Sequence, residues 1–433
     1  MRTFKLIAGL SFLLLMVACQ DKKRSSQIEV AENESKYVVL AYVTSWGEST
    51  PDPACLTHIN YAFGHVTDNF KGIRIDNEPR LQMVVGLREK KPSLKVLLSV
   101  GGWGSSRFSE MAQTDSTRMA FAADCKRVID QFDLDGIDID WEYPGIGTAG
   151  VSFSPEDTDN FSLLMKDIRH AIGKDKLLTI ATQAGAKYYN LRAVEPYVDY
   201  VNIMTYDMEE SPNHHSALYR SEMAEEWSCE DAVAAHVAAG FPVGRLVLGI
   251  PFYGHGTNEA PELLDYRHII ALDSLQSCWD SAAQVPYMVN SQGHVVVNYE
   301  NAQSIAFKCQ FLHQKGMLGA MYWDYDSDDE KGTLRHAVYQ GVMNPYSFSL
   351  FFLYLHIFCK EDKPLAVFCF LIKADSRDKP IKKLLLLCRP LRYRDSLIKP
   401  RPNCGGKRYL RYVEPLLVLL MPDGYISPHN PFL

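Results

Sequence analysis

The sequence predicts a closed (β/α)8 or TIM barrel, an α/β fold, as a single domain over residues 36–345. Eight short apolar runs recur in this region, and stretches with helical periodicity follow most of them. Several runs are continuously apolar, as parallel strands covered on both faces require. An open doubly wound sheet is the alternative, but no G-x-G-x-x-G follows the first run.

The predicted elements follow one another in β-then-α order. The strands are YVVLAYVT (37–44), HINYAF (58–63), KVLLSV (95–100), GIDIDW (136–141), LLTIAT (177–182), YVNIMT (200–205), RLVLGIP (245–251) and GAMYW (319–323). Helical patterns lie between the strands, for example at 117–132, 157–172, 231–239, 302–315 and 329–339, with Pro155 at one start and Gly240 at one stop. The link between the first two strands has no helical pattern. Residues 254–318, between the last two strands, already contain one helix, so only a small insertion is predicted there.

One strand carries an acid at every second position. In DGIDIDWE, residues 135–142, Asp138, Asp140 and Glu142 alternate with large apolar residues. Side chains alternate between the faces of a strand, so the three acids share one face, which points inward in a barrel. Burial and like charge raise carboxyl pKa values there. Glu142, nearest the carboxyl end, is therefore the candidate general acid.

Three other interpretations of the acidic face stay open at this point. The face could be solvated, although the apolar neighbouring strands disfavour this. It could bind a hard cation, although the segment lacks the spacing of an EF-hand loop. It could pair with buried arginines, but the predicted strands offer only Arg245, at an amino end.

The acidic strand resembles the D-G-x-D-x-D-x-E signature of glycoside hydrolase family 18, the chitinase family. SVGGW at 99–103 resembles the family's S-x-G-G, and MTYD at 204–207 resembles its M-x-Y-D. The resemblance covers about residues 36–343. In these motifs, the residues expected to have a structural role are Asp135, Gly136, Ser99, Gly101 and Gly102.

The resemblance implies retaining, substrate-assisted hydrolysis of β-1,4-linked N-acetylglucosamine polymers or oligomers. Glu142 would protonate the leaving oxygen while the sugar's own acetamide oxygen attacks. Asp140 would orient the acetamide, and Asp138 would share a proton or hydrogen bond with Asp140. Tyr206 would donate to the acetamide oxygen, and Asp207 would support the sugar or the Glu142 side.

Aromatic side chains near the predicted strand ends are expected to hold the apolar faces of sugar rings. The alternative for any single one is core packing. The predicted substrate-binding residues are Tyr42, Trp46, Phe63, Trp103, Met204 and Trp323.

Two loops depart from the family pattern. MEESPNHH follows Asp207, and Tyr253-Gly254-His255 stands where many members have Arg. The preferred glycan therefore stays open, and a shallow cleft with endo- or non-processive action is expected. An endo-β-N-acetylglucosaminidase of N-glycan cores is the close alternative, and a non-catalytic chitin-binding lectin is the alternative of another class.

The two ends of the chain differ from its body. Residues 1–19 resemble an export signal ending in a lipobox-like Cys19, with an ordinary secretory signal as the alternative, and the polar residues 20–35 suit a tether. We therefore predict that the protein is exported, and that it either stays in the bacterial cell envelope through a lipid on Cys19 or is released outside the cell. Residues 346–433 carry a formal net charge of +8 against −15 for the rest, and short apolar runs alternate there with basic stretches that have no clear period. Because the predicted barrel is already complete before this tail, we expect a read-through or shifted frame, with a membrane- or partner-binding extension as the alternative.

Composition limits the partners that we expect. The acidic body disfavours nucleic acid. Five body cysteines at irregular spacing fit buried thiols better than disulfides, and no metal or organic cofactor is indicated. A carbohydrate substrate and a monomeric chain are predicted.

Overall fold

A computed structural model of the chain describes residues 36–344. The predicted signal with Cys19, the polar tether and the basic tail lie outside the described residues. Within the described part, no helix is both long and apolar enough to cross a bilayer.

Eight parallel strands close into a barrel, which confirms the predicted fold. The ring closes because β1, Val38–Thr44, pairs with β2, His58–Val66, on one side and with β14, Gly319–Trp323, on the other. A short strand, β3, Ile73–Ile75, adds antiparallel to the end of β2. The barrel strands in ring order are β1 Val38–Thr44, β2 His58–Val66, β4 Lys95–Gly101, β5 Gly136–Asp140, β6 Leu177–Gln183, β7 Tyr200–Met204, β8 Leu246–Pro251 and β14 Gly319–Trp323.

Helices follow the barrel strands, and four of them were not among the predicted ones: one of nine residues and three of only four or five residues. Helix α1, Glu78–Gly86, buries Arg80 on the side that packs inward, so its apolar stripe is too short to stand out in the sequence. The link between β1 and β2 holds only a 3-10 turn, as predicted. The other helices are α2 Phe108–Ala112, α3 Asp115–Phe132, α4 Asp157–Ile172, α5 Leu191–Val194, α6 Cys229–Ala238, α7 Tyr266–Ile269, α8 Ala302–Lys315 and α9 Thr333–Met343.

The core has two layers, one on each face of the barrel strands. On β1, Val39 and Ala41 pack outward against the helices, whereas Leu40 and Tyr42 point into the barrel. Period-two alternation therefore sorts side chains between a large outer apolar layer and a smaller inner cluster that contains the polar centre. Of the five described cysteines, four are buried and all are free thiols, as predicted.

The insertion between β8 and β14 is short but regularly folded. It forms a five-stranded antiparallel sheet with α7 at its edge, although the sequence analysis expected little room for an α+β unit. Strands of three to five residues with tight antiparallel links need few residues, which explains the difference. The strands are β9 Tyr253–Gly256, β10 Leu263–Asp265, β11 Gln276–Asp280, β12 Val285–Val289 and β13 Val295–Asn298.

Candidate active site

The acids of β5 point into the barrel at three depths. Asp138 is fully buried, Asp140 is almost fully buried, and Glu142 lies two residues beyond the strand end and is partly exposed. This placement excludes a solvated strand face as the reason for the acidic pattern.

Asp138 is held by four hydrogen-bond donors. Its Oδ2 accepts from the hydroxyls of Tyr42 at 3.0 Å and Ser99 at 2.8 Å. Its Oδ1 accepts from the Thr179 hydroxyl at 2.5 Å and the Asn202 amide at 3.2 Å. Burial raises the pKa of Asp138, and the four donors oppose that rise. These neutral donors, rather than buried arginines, stabilise the deepest acid.

Asp140 lies directly above Asp138 on the same face. Burial, followed by the charges of Glu142 and Asp138, raises the pKa of Asp140 well above its usual value. Its Oδ1 is buried and has no hydrogen-bond partner among the described residues. No direct hydrogen bond joins the two aspartates among the described contacts, because both oxygens of Asp138 accept from other donors. A proton shared between Asp138 and Asp140 stays a prediction. A protonated Asp140 is left with hydrogen-bonding capacity to offer a substrate.

Glu142 has the pKa that a general acid needs near neutral pH. Burial raises the pKa of Glu142 to about 7, a hydrogen bond from Tyr143 opposes the rise, and the charge of Asp207 adds to it. A carboxyl group with this pKa is substantially protonated at pH 7 and can still accept a proton back afterwards.

Tyr206 and Asp207 follow the end of β7. Burial, with the neighbouring acids, raises the pKa of Tyr206 well above its usual value, so the hydroxyl stays protonated. That hydroxyl contacts the Met321 sulfur at 4.0 Å, which is a weak acceptor, and it can therefore donate to a better one. Asp207 has a φ of 53°, in the left-handed region that few residues other than glycine adopt.

Two histidines and a tyrosine surround Asp207. Its Oδ1 accepts from the Tyr253 hydroxyl at 2.7 Å, lies 2.7 Å from His255 Nε2 and lies 3.4 Å from His215 Nδ1. Although burial acts in the opposite direction, these hydrogen bonds hold the pKa of Asp207 below its usual range. Asp207 is therefore ionised throughout the physiological pH range.

Four of the predicted aromatic residues form one cluster centred on Trp323. The Phe63 ring stacks on Trp323 with centroids 5.6 Å apart, and Tyr42 and Trp46 flank it at 5.6 Å and 6.4 Å. Trp46 is 63% exposed, whereas Phe63 is buried beneath it. A ligand can therefore contact Trp46 directly but reaches little of Phe63.

Trp103 and Met204 lie apart from that cluster. Trp103 is 65% exposed and meets Tyr143 edge-on at 6.4 Å, and Tyr143 in turn stacks on Tyr188 at 5.1 Å. This forms a second aromatic surface beside Glu142. Met204 belongs to the inner apolar cluster that lines the barrel beneath the site.

The motif residues with a predicted structural role divide between the two ends of the barrel. At the site end, Gly101 has a φ of 132°, and a Cβ there would lie 1.9 Å from the Asp140 carbonyl oxygen. A Cβ on Gly102 would lie 2.6 Å from the Phe63 ring. At the opposite end, Asp135 pairs with Arg88 and accepts from the Val96 backbone N–H at 2.8 Å. Gly136, next to it, allows close approach to the neighbouring strand β6.

A family model described as glycosyl hydrolases family 18 matches residues 38–328, most of the described barrel. The chain belongs to glycosyl hydrolase family 18. Among curated proteins, it is 30% identical to chitinase A1 of Niallia circulans, over 76% of this chain and 62% of that protein. It is also 30% identical to an endochitinase of Manduca sexta, over 70% of this chain and 65% of that protein. The chain thus spans under two thirds of the length of either relative.

A solved family 18 structure is similar over the whole of its chain. The N-acetylglucosaminidase of Paenibacillus barengoltzii shares 32% sequence identity with this chain at a TM-score of 0.64, and the match covers 70% of this chain and 99% of that one. This similarity agrees with the barrel described above.

Several residues of this family 18 site were not found from the sequence. Thr179 and Asn202 are polar positions within apolar strands, and inward alternation on β6 and β7 could have revealed them as partners of Asp138. Tyr253 and His255 lie on the insertion, and His215 lies in the loop after β7. No local pattern connects these loop residues with Asp207, because only the barrel closure brings them together.

Proposed function

We propose that this family 18 chain hydrolyses β-1,4-linked N-acetylglucosamine polymers or oligomers with retention, using the substrate's acetamide group as the nucleophile. The proposal depends most on one observation, a carboxyl group with a pKa of about 7 at the barrel mouth above a second, protonatable carboxyl. In this proposal Glu142 supplies the proton for the leaving oxygen, and Asp140 hydrogen-bonds the acetamide.

The state of Asp207 supports substrate assistance over a protein nucleophile. A conventional retaining enzyme needs a second free carboxylate close to the general acid. Asp207 is the nearby ionised candidate, but its Oδ1 is already engaged by Tyr253 and His255, and its lowered pKa reflects a stabilised, weakly nucleophilic anion. An acetamide oxygen on the sugar supplies the nucleophile instead.

The proposed reaction has two steps. First, Glu142 donates its proton to the glycosidic oxygen, the bond from that oxygen to the anomeric carbon breaks, and the acetamide carbonyl oxygen bonds to the anomeric carbon to form an oxazolinium ring. Asp140 orients the acetamide N–H, and the Tyr206 hydroxyl donates to the acetamide oxygen. Then Glu142, now a carboxylate, takes a proton from water, which attacks the anomeric carbon from the original face and restores the acetamide.

The aromatic surfaces support binding of sugar rings on both sides of the acid. Trp323 with the exposed Trp46 forms one apolar wall, and Trp103 with Tyr143 forms another. The substrate needs an acetamide group because that group is the nucleophile, whereas the aromatic surfaces can bind the apolar face of any pyranose ring. Selectivity for N-acetylated sugars is therefore expected in turnover more than in binding.

The purified full-length chain should be incubated with chitin oligomers, with glucose-only β-1,4 oligomers of matched length, and with a high-mannose glycoprotein. We expect cleavage of the chitin oligomers, with the β-anomer formed first when the products are followed by NMR. Equal cleavage of glucose-only oligomers would reject substrate assistance. Release of N-glycans alone would favour the endo-β-N-acetylglucosaminidase, and binding without turnover would favour the lectin.

We also propose that the protein is exported and anchored through Cys19. The apolar N-terminal segment ending at Cys19 supports this. Expression of the full chain with a radiolabelled fatty acid should label the protein, and Cys19→Ser should abolish the label and release the protein from the membrane fraction. A labelled Cys19→Ser variant would contradict the anchor.

A further inference from the structure

Three potential metal ligands converge beside the acidic centre. The ligand atoms of Asp207, His215 and His255 all lie within 4.8 Å of one another. Asp207 follows the end of β7, His215 lies in the loop after it, and His255 lies on strand β9. The two imidazole centroids are 4.3 Å apart. Ligand atoms this close together can all reach one metal ion, at about 2.0–2.2 Å from each, after only small movements of the side chains.

The Nδ1 atom of His215 has two competing hydrogen-bond partners, both on Asp207. Its Nδ1 lies 3.4 Å from Asp207 Oδ1, an acceptor, and 3.5 Å from the Asp207 backbone N, a donor. One ring nitrogen satisfies only one of these contacts, and both are long. A cation between the two side chains would resolve this competition between a donor and an acceptor. The Nδ1 lone pair would bind the cation, and the Asp207 carboxylate would bind it as well.

Neighbouring groups hold Asp207 and the backbone beside His215 in place. The Tyr253 hydroxyl fixes Asp207 Oδ1 at 2.7 Å. Lys308 bonds both the carbonyl and the hydroxyl oxygen of Ser216, at 2.7 and 2.6 Å, and so anchors the residue next to His215. Supporting contacts of this kind preorganise metal ligands.

The ligand set selects a class of metal. Two neutral imidazoles and one carboxylate suit Zn²⁺, Cu²⁺ or Ni²⁺, whereas Ca²⁺ and Mg²⁺ require oxygen ligands throughout. The Asp207 side chain is 53% exposed. Three protein ligands beside solvent leave at least one coordination position open, as in accessible zinc sites.

We propose that Asp207, His215 and His255 bind a borderline divalent transition metal such as Zn²⁺, and that the bound metal inhibits the hydrolase by withholding Asp207 from the sugar. The proposal that these residues bind a metal rests only on the positions of the three ligand side chains. The inhibition part rests on the proposed function, because it assumes that Asp207 supports the reacting sugar.

Binding is tested first, by calorimetric titration of the metal-free full-length chain with Zn²⁺ near neutral pH. His255→Gln removes one ligand from a half-buried position and should eliminate one equivalent of bound Zn²⁺ or weaken it by roughly 100-fold, since losing even a supporting contact often costs 10–100-fold. His294→Gln, an exposed histidine on the same insertion, is the matched control and should bind as the unmodified chain does.

Two further readouts make the result decisive. Co²⁺ should give visible absorption bands in the unmodified chain that His255→Gln lacks, and Mg²⁺ should not compete with Zn²⁺. Identical Zn²⁺ isotherms and Co²⁺ spectra for the unmodified chain and His255→Gln would overturn the site.

Inhibition is tested separately, by turnover of chitin oligomers with and without Zn²⁺. Inhibition that follows occupancy of the His255-dependent equivalent, and is relieved by a chelator, supports the regulatory part. Occupancy without inhibition overturns that part and keeps the site. A chain without any turnover contradicts the proposed function, and the calorimetric and Co²⁺ results still decide the metal site.

Discussion

At the residue scale, depth in the barrel gives each acid of β5 a different environment. Asp138, the deepest, is surrounded by four donors, while Asp140 has a buried oxygen without a partner. Glu142, at the rim, is only partly exposed and interacts with the charge of Asp207. One repeated side-chain type thus yields three protonation behaviours because solvation changes along a single strand.

Glu142→Gln is expected to lower kcat on chitin oligomers by at least ~100-fold, because the amide cannot donate a proton as the carboxylic acid does. Oligosaccharide binding should persist, since the aromatic walls are unchanged. Glu225→Gln, at an exposed position, is the control and should leave kcat unaltered. Unchanged turnover in Glu142→Gln would remove Glu142 from the mechanism.

The pH dependence of kcat/KM should report the raised pKa of Glu142. Only the protonated carboxyl can act as the acid, so activity should be full below the pKa of about 7 and fall as pH rises through it. The expected slope above that value is a roughly tenfold loss per pH unit. Measurement between pH 5 and 9 tests this, and a constant rate up to pH 9 would show that Glu142 is not the titrating acid.

At the element scale, the site depends on the contact between the ends of β4 and β5. Ser99 pairs in register with Asp138, and Gly101 pairs with Asp140. The Gly102 N–H then donates to the Asp140 carbonyl at 2.9 Å. The strand that carries the acids is therefore positioned by a neighbour that must lack a side chain at Gly101, where a Cβ would meet the Asp140 carbonyl.

Gly101→Ala is expected to destabilise the protein by at least ~2 kcal/mol and to reduce activity, because the added Cβ meets the Asp140 carbonyl and overpacking typically costs 1–3 kcal/mol besides backbone strain. Gly293→Ala isolates the strain, since Gly293 also has a positive φ but has no atom within 4 Å of its would-be Cβ. Chemical denaturation of both variants measures the difference. Equal losses would mean that the β4–β5 contact is not the cause.

At the scale of the whole molecule, a buried ion pair connects helix α8 to the loop that follows β7. Lys308 on α8 contacts Glu300 at 2.7 Å, and both side chains are at most 1% exposed. Lys308 also holds Ser216 in the loop after β7. This network ties together segments that are far apart in the sequence, and it fixes the loop that carries His215.

Lys308→Ala is expected to lower the free energy of unfolding by about 3–5 kcal/mol, because Glu300 would remain buried without its partner. Lys315→Ala on the same helix removes an exposed pair with Glu230 and should cost no more than ~1 kcal/mol. Urea denaturation of the two variants gives the comparison. A similar small loss in both would show that water reaches Glu300.

The sequence predicted the positions of the barrel strands better than the side-chain contacts between distant segments. All eight barrel strands were located from apolar runs, and Glu142, Asp140 and Asp138 were placed on an inward face by alternation. Helix α1 was missed because burial of Arg80 masks its apolar stripe. The insertion sheet was missed because strands of three to five residues give too short a pattern.

Local periodicity decides which face a side chain occupies, so the sequence by itself determined the barrel strands, the acidic ladder and the aromatic residues at the strand ends. Contacts between distant segments depend on how the barrel closes. Only the tertiary structure therefore decided that Asp138 is satisfied by four neutral donors and that His215 and His255 meet at Asp207. The physical reason is that a side chain's orientation follows from its own strand, whereas its solvation and partners come from segments brought near it by folding.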